Sequence, residues 1–267
     1  MQSIYEGARM PGAARRTLSL VGGILAGAAL VLPGSVATAD TRPFIIGGHD
    51  ATEQYSFMVS LQQGGQHGCG GSLIRPDWVV TAAHCVGAPD GMTARIGSTD
   101  RTSGGSEAKV TQAIVHPDYN GGAGPGGDIA LLKLDHAVEQ KPIAIAPDSG
   151  AAGTATRIIG WGMTCDDEQQ CPELPVTLQE LDTKLVDDAQ CTKFDGGTEL
   201  CTDSDTPDAM GCFGDSGGPQ VVGRPGEWQL IGATSRDGDN DPKCATGPGI
   251  WTDVTAYADW INQQIGG

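Results

Sequence analysis

The sequence predicts an all-β domain that ends in one α-helix and follows an export signal. Three observations lead there: short apolar runs bounded by glycine, proline and aspartate; one stretch of helical periodicity at the C-terminal end; and a leader that is basic, then apolar, then small. The apolar runs fall at 57–61, 78–80, 113–115, 129–132, 157–159 and 229–231. Each is long enough for a strand and too short for a helix, and turn residues recur between them, the pattern of a barrel or sandwich. Val254, Tyr257, Ala258, Ile261 and Ile265 share one helical face. From residue 45 onward the chain is long enough for a core, and it contains no internal repeat, low-complexity linker or second module.

Residues 1–39 are expected to be a signal peptide. Arg9, Arg15 and Arg16 precede an uncharged apolar run, 18–32, which Ala37, Thr38 and Ala39 follow as a cleavage pattern. The run is too short to span a bilayer, so the expectation is a secreted, extracellular protein and not an anchored one. Arg15-Arg16 leaves both the general and the twin-arginine export routes open.

Export bears on the eight cysteines, since thiols pair in an oxidising compartment. Without Cys-x-x-Cys or His-x-His spacing, four disulfides are expected and a zinc site is not; counting alone does not assign partners. The chain carries a net charge of −17, and its first 44 residues hold four arginines against Glu6 and Asp40, so residues 45–267 carry −19. Such a surface repels phosphate backbones and anionic lipid, which argues against nucleic acid or membrane as a partner.

Segment 209–220, AMGCFGDSGGPQ, packs glycines around Ser216. Serine is a weak nucleophile until a base takes its proton and a third group orients that base. All five histidines, His49, His67, His84, His116 and His136, precede Ser216. Gly214-x-Ser216-x-Gly218 formally fits the nucleophile elbow of α/β-hydrolases, but there the histidine follows the serine, so that reading fails.

Thr81-Ala82-Ala83-His84-Cys85, Gly127-Asp128-Ile129-Ala130-Leu131-Leu132, Gly214-Asp215-Ser216-Gly217-Gly218-Pro219 and Ile45-Ile46-Gly47-Gly48 occur in an order that resembles the trypsin/chymotrypsin family of secreted serine endopeptidases, over residues 45–267. The resemblance implies two packed antiparallel six-stranded β-barrels with a C-terminal α-helix and a catalytic cleft between the barrels. It implies Ser216 as nucleophile, His84 as general base and acid, Asp128 as its orienting partner, and the N–H groups of Gly214 and Ser216 as the oxyanion hole. It further implies that cutting before Ile45 frees an ammonium that pairs with Asp215, making residues 40–44 a short propeptide and 45–267 the protease domain. A signal-peptidase cut after Phe44 would put a large residue where that enzyme takes a small one. The implied disulfides are Cys69–Cys85, Cys165–Cys171, Cys191–Cys201 and Cys212–Cys244. The implied partners are polypeptide substrates and protein inhibitors of proteases; no cofactor or metal is expected, and a monomer is the default.

The chain departs from this family in its specificity pocket. Where trypsin-like members carry an aspartate that binds Lys or Arg, this sequence has Met210, followed by Gly211, and Gly249 at a wall position leaves room for a large side chain. The expectation is cleavage after large apolar or aromatic residues, a preference that Phe44 itself satisfies. The family's Ser-Trp-Gly reads Ser235-Arg236-Asp237 here, so an alternative is cleavage after Lys or Arg directed by Asp237. A second alternative, of another class, is a secreted binding protein on a protease scaffold, which an active-site serine reagent would leave unmodified. The run 237–241 has Asp-x-Asp-x-Asp spacing but lacks the glycine and distal glutamate of a calcium loop, so solvated acid is the preferred reading.

Overall fold

The computed structural model describes residues 45–87, 89–122, 124–166, 171 and 173–266. The signal peptide expected over 1–39 and the propeptide expected over 40–44 lie outside them.

After a short strand β1 (His49–Asp50), six strands close the first barrel: β2 (Met58–Gln63), β3 (Gln66–Arg75), β4 (Trp78–Thr81), β5 (Met92–Ile96), β6 (Ser106–Val115) and β7 (Ala130–Leu134). Around the barrel the order is β2-β3-β4-β7-β6-β5, every neighbour antiparallel, with β5 pairing back to β2. The second barrel follows a short β8 (Ala144–Ile145) and uses β9 (Ala155–Gly160), β10 (Gln179–Leu185), β11 (Glu199–Asp203), β12 (Pro219–Val222), β13 (Gln229–Asp237) and β14 (Gly249–Asp253). Its order is β9-β10-β11-β14-β13-β12, closed by β12 pairing β9, while β1 adds to β10 and β8 lies parallel to β13. The fold is thus the double barrel with a C-terminal helix that the family resemblance implies, within the all-β class that the strand pattern predicts.

Each apolar run seeds a strand because strand pairing places its side chains inside a barrel. Val59, Val79, Leu132 and Ile96 share one face, fill the first and are fully buried, and Ile231 is fully buried in the second. Removing such side chains from water is the main stabilising term of a small domain. The helix, α1 (Ala258–Ile265), begins later than the periodicity suggests. Val254 and Tyr257 are buried as expected but sit in the preceding turn, which Asp253 fixes by accepting the Thr255 N–H and hydroxyl. Among the described residues no helix is long and apolar enough to cross a membrane.

β3 breaks the apolar pattern with glycines for a reason that bears on the site. A Cβ on Gly70 would stand 2.7 Å from the Gly218 Cα, so only glycine lets the glycine loop around Ser216 approach the first barrel. The Gly70 N–H uses that approach, donating to the Ser216 carbonyl at 2.8 Å.

Candidate active site

His84 sits in a 3-10 turn, Ala83–Cys85, at the end of β4, and the Cys69–Cys85 disulfide ties that turn to β3. Its N–H donates to Asp128 Oδ1 at 3.0 Å, and its Nδ1 lies 2.8 Å from Asp128 Oδ2. An ionised carboxylate only accepts, so Nδ1 carries a proton, and in the neutral imidazole the lone pair is then on Nε2. The Asp128 side chain is buried, whereas 33% of the His84 side chain is exposed to the cleft. Burial pushes the Asp128 carboxyl up, but the His84 hydrogen bond and charge, with the Ser235 hydroxyl, outweigh it and hold the group below its ordinary range.

The segment before Asp128 is fixed on every side. Gly127 has φ +74°, and a Cβ there would stand 2.6 Å from backbone atoms of Asp118 and Tyr119. Its N–H donates to Tyr257 Oη at 2.8 Å, and the Asp128 carbonyl accepts from Thr252 Oγ1 at 2.8 Å. On the far side Ser235 Oγ donates to Asp128 Oδ2 at 2.6 Å.

Ser216 is partly buried in the glycine loop. Gly214 has φ +100° and Gly217 φ +73°, conformations that favour glycine; a Cβ on Gly217 would also meet Thr81 Oγ1 at 2.1 Å. The Asp215 carboxylate points inward, accepting the Gly162 N–H at 2.7 Å and the Cys212 N–H at 3.0 Å. Gly160 and Gly162 make room for it, since a Cβ on either would stand within 2.2 Å of a carboxylate oxygen. Burial pushes the Asp215 carboxyl up to about 6 despite those two N–H groups, and among the described residues no cation stands against it. Among the described residues no hydrogen bond joins His84 Nε2 to Ser216 Oγ.

Ile45 is fully buried in one apolar cluster with Met210 and Trp251, and Ile46 bridges Met210 in antiparallel register. The segment at Ile45 and Ile46 therefore lies against the pocket wall. In the intact chain its nitrogen is a peptide nitrogen.

Beside Ser216 opens a cavity of about 250 Å³. It is lined by all five pocket residues expected from the sequence, Met210, Gly211, Ser235, Asp237 and Gly249, together with Phe213 and Trp251. Met210 and Trp251 are buried, so the depth is apolar; Phe213, 65% exposed, forms the rim with Asp237 and Asp241. A Cβ on Gly249 would stand 2.6 Å from the Trp251 ring. Glycine here makes room for that indole as well as for a ligand, and Trp251 had no motif to announce it. Burial and then the Asp239 charge push the Asp237 carboxyl up to about 6. In the acidic run, Asp239 and Asp241 accept the Asp241 and Lys243 N–H groups, which shapes a turn.

His67, like Trp251, is a site residue that sequence reasoning missed. Its Nε2 lies 3.0 Å from the Gly214 carbonyl and its Nδ1 2.8 Å from Ser60 Oγ, with Trp161 edge-on at 5.6 Å. Burial, opposed by the Gly214 contact, pushes its pKa down to about 4. No spacing ties His67 to Ser216; only barrel packing does.

The remaining cysteines form Cys165–Cys171, Cys191–Cys201 and Cys212–Cys244, the last bridging the nucleophile loop to the pocket's far wall.

The trypsin family model matches residues 45–261. A trypsin of Saccharopolyspora erythraea is 38% identical over 233 residues, covering 83% of this chain and 98% of its own. Trypsin theta of Drosophila melanogaster is 36% identical over 250 residues, 85% of this chain and 90% of its own, and rat (Rattus norvegicus) granzyme M is 35% identical over 240, 83% and 89%. The solved structure of neuropsin, a serine protease expressed in the limbic system of mouse brain, superposes with a TM-score of 0.73 at 30% identity, covering 83% of this chain and all of that one. Since the match runs through both barrels and into the helix, the chain belongs to the trypsin family and is a serine endopeptidase acting on polypeptides.

Proposed function

We propose that the protein is exported as an inactive precursor and, once cut before Ile45, cleaves polypeptides after large apolar or aromatic residues. The single observation that carries the reading is the hydrogen-bonded line Ser235–Asp128–His84, whose Ser235 lines one cavity with Ser216 and with Met210 and Trp251 in its depth. In this reading His84 Nε2 takes the Ser216 Oγ proton as Oγ attacks the peptide carbonyl. The developing oxyanion is met by the N–H groups of Gly214 and Ser216, which donate to nothing else among the described residues. His84 then protonates the departing amine, leaving an acyl-Ser216, and water activated by the same Nε2 releases the acid.

Activation follows from Asp215. A buried carboxylate with no cation is costly, and an ammonium freed at Ile45, already buried beside the pocket, is the partner that would ionise it and hold the oxyanion loop. The cut itself, Phe44 to Ile45, falls at the edge of the described residues.

The apolar depth favours a large apolar side chain, because Met210 offers no fixed charge to a Lys or Arg tip. A second reading has support from Asp237 and Asp241 at the rim, which would draw a basic residue. A cleavage-site profile on a mixed peptide pool, with Ser216→Ala as control, tests both. Cuts after Phe, Tyr, Leu or Met that vanish in the control are expected. Cuts after Lys or Arg that Asp237→Asn abolishes would overturn the apolar reading and leave the triad, whereas cuts that persist in the control would overturn the triad.

A further inference from the structure

Ser235 and Arg236 are neighbours on β13, and both are tied to the segment carrying Asp128. Ser235 reaches the carboxylate directly. Arg236 reaches the segment, not the carboxylate, through Glu199 at the head of β11: Nη1 donates to Oε1 at 2.6 Å and Nη2 to Oε2 at 2.9 Å. The same Oε1 accepts the N–H of Gly126, two residues before Asp128, at 3.1 Å, and Oε2 accepts the Asp195 N–H at 2.9 Å. Nη2 also donates to the Lys193 carbonyl at 2.7 Å. The pair is almost out of water, with 1% of the Glu199 side chain and 12% of the Arg236 side chain exposed. Arg236 Nη1 stands 3.5 Å from Ser235 Oγ, so its charge is one hydroxyl away from Asp128.

We propose that Glu199 and Arg236 are positioning residues that lock the Asp128 turn to the pocket strand. A guanidinium gripping a carboxylate through two parallel hydrogen bonds fixes direction as well as distance, which a lysine cannot do. One end of the grip is the Gly126 N–H, the other is the strand that presents Ser235. The pair also sums to zero charge, so it holds geometry without tilting the field at His84. The departure at Arg236 from the resembling family's tryptophan thus has a partner within the chain. Among the described residues, the ionisable groups interacting with Asp128 are His84 and Tyr119; the Asp195 carboxylate lies against Gly126, and Tyr257 at the Gly127 N–H and Asp118 stand further out.

The inference rests on the triad reading, so Ser216-dependent turnover of the mature parent is established first; its absence would sink that reading and not this one. Glu199→Gln, Arg236→Met, Arg236→Lys and the Glu199→Gln/Arg236→Met double variant are then compared, with folded sites counted by a phosphonylating serine reagent. Each single change is expected to lower kcat about tenfold with KM within about twofold. The acid limb of kcat/KM gives the reading that a purely structural role would not move. Glu199→Gln leaves a cation unneutralised beside Asp128 and His84, so the limb moves down by about half a pH unit. Arg236→Met leaves an anion, so it moves up by about as much. The double variant returns toward the parental limb, and Arg236→Lys keeps the limb while losing kcat. Shifts of the same sign, a limb unmoved in both singles, or a loss confined to KM would overturn the proposal.

Discussion

The Gly214 carbonyl can only accept, so His67 presents Nε2–H to it; its Nδ1 then accepts the Ser60 hydroxyl, whose oxygen accepts from Gln62 Nε2 at 3.0 Å. A neutral imidazole is the form that satisfies this chain, and burial enforces it by holding the pKa near 4. His67→Ala strands the Gly214 carbonyl and frees the loop that presents the Gly214 N–H. It is expected to lower kcat roughly 10- to 100-fold with little change in KM, read by steady-state kinetics. The same residue sets an acid sensitivity. A histidine with a depressed folded pKa contributes stability that is fully present above the unfolded value near 6.5 and lost as pH falls through about 4. The loss amounts to roughly 3 kcal/mol, and denaturant unfolding of Ser216→Ala with and without His67→Gln should show the window close in the double variant.

At the scale of elements, the start of the domain and the nucleophile loop form one unit, because Ile45 and Ile46 pack on Met210 while Asp215 is buried behind Gly160 and Gly162. In the uncleaved chain the Asp215 carboxyl is raised to about 6, so its contribution to stability is fully present below about 3.8 and lost as pH rises through 6. In the proposed activation, cleavage before Ile45 would supply a cation and remove that loss. Ser216→Ala protein in cut and uncut forms should therefore melt alike near pH 4, whereas near pH 8 the cut form should be more stable by roughly 3 kcal/mol. Equal melting at both pH values would contradict the Ile45–Asp215 pairing, and so would an activity profile with no fall at high pH, where the ammonium titrates.

For the whole molecule the governing quantity is charge. Residues 45–267 carry −19 against −17 for the whole chain, and Asp237 and Asp241 stand at the cavity rim. Such a field draws cationic substrates and fades as salt shortens its reach. For a peptide with lysines flanking an apolar cleavage residue, kcat/KM should fall roughly three- to tenfold between low salt and half-molar salt. A peptide with glutamates in their place should show the opposite trend. Stopped-flow or initial-rate measurement across ionic strength decides this; a salt-independent ratio would mean the rim charges do not steer.

How much was legible divides by the range of the signal. Strand-length runs such as 129–132, the helical stripe around Ile261, and the four short motifs are local, since each is written within a few consecutive residues that share one strand, turn or helix face. They determined the fold class, and with it where His84, Asp128 and Ser216 would be sought. Contacts between residues far apart in the chain have no such signature. That His67 reaches Gly214, that Trp251 fills the space Gly249 leaves, and that Glu199 grips Arg236 and Gly126 together was decided only when β3, β11, β13 and β14 closed into two barrels. The physical reason is that a buried polar group must find its partner wherever packing puts one, and packing is a property of the closed barrels and not of any segment.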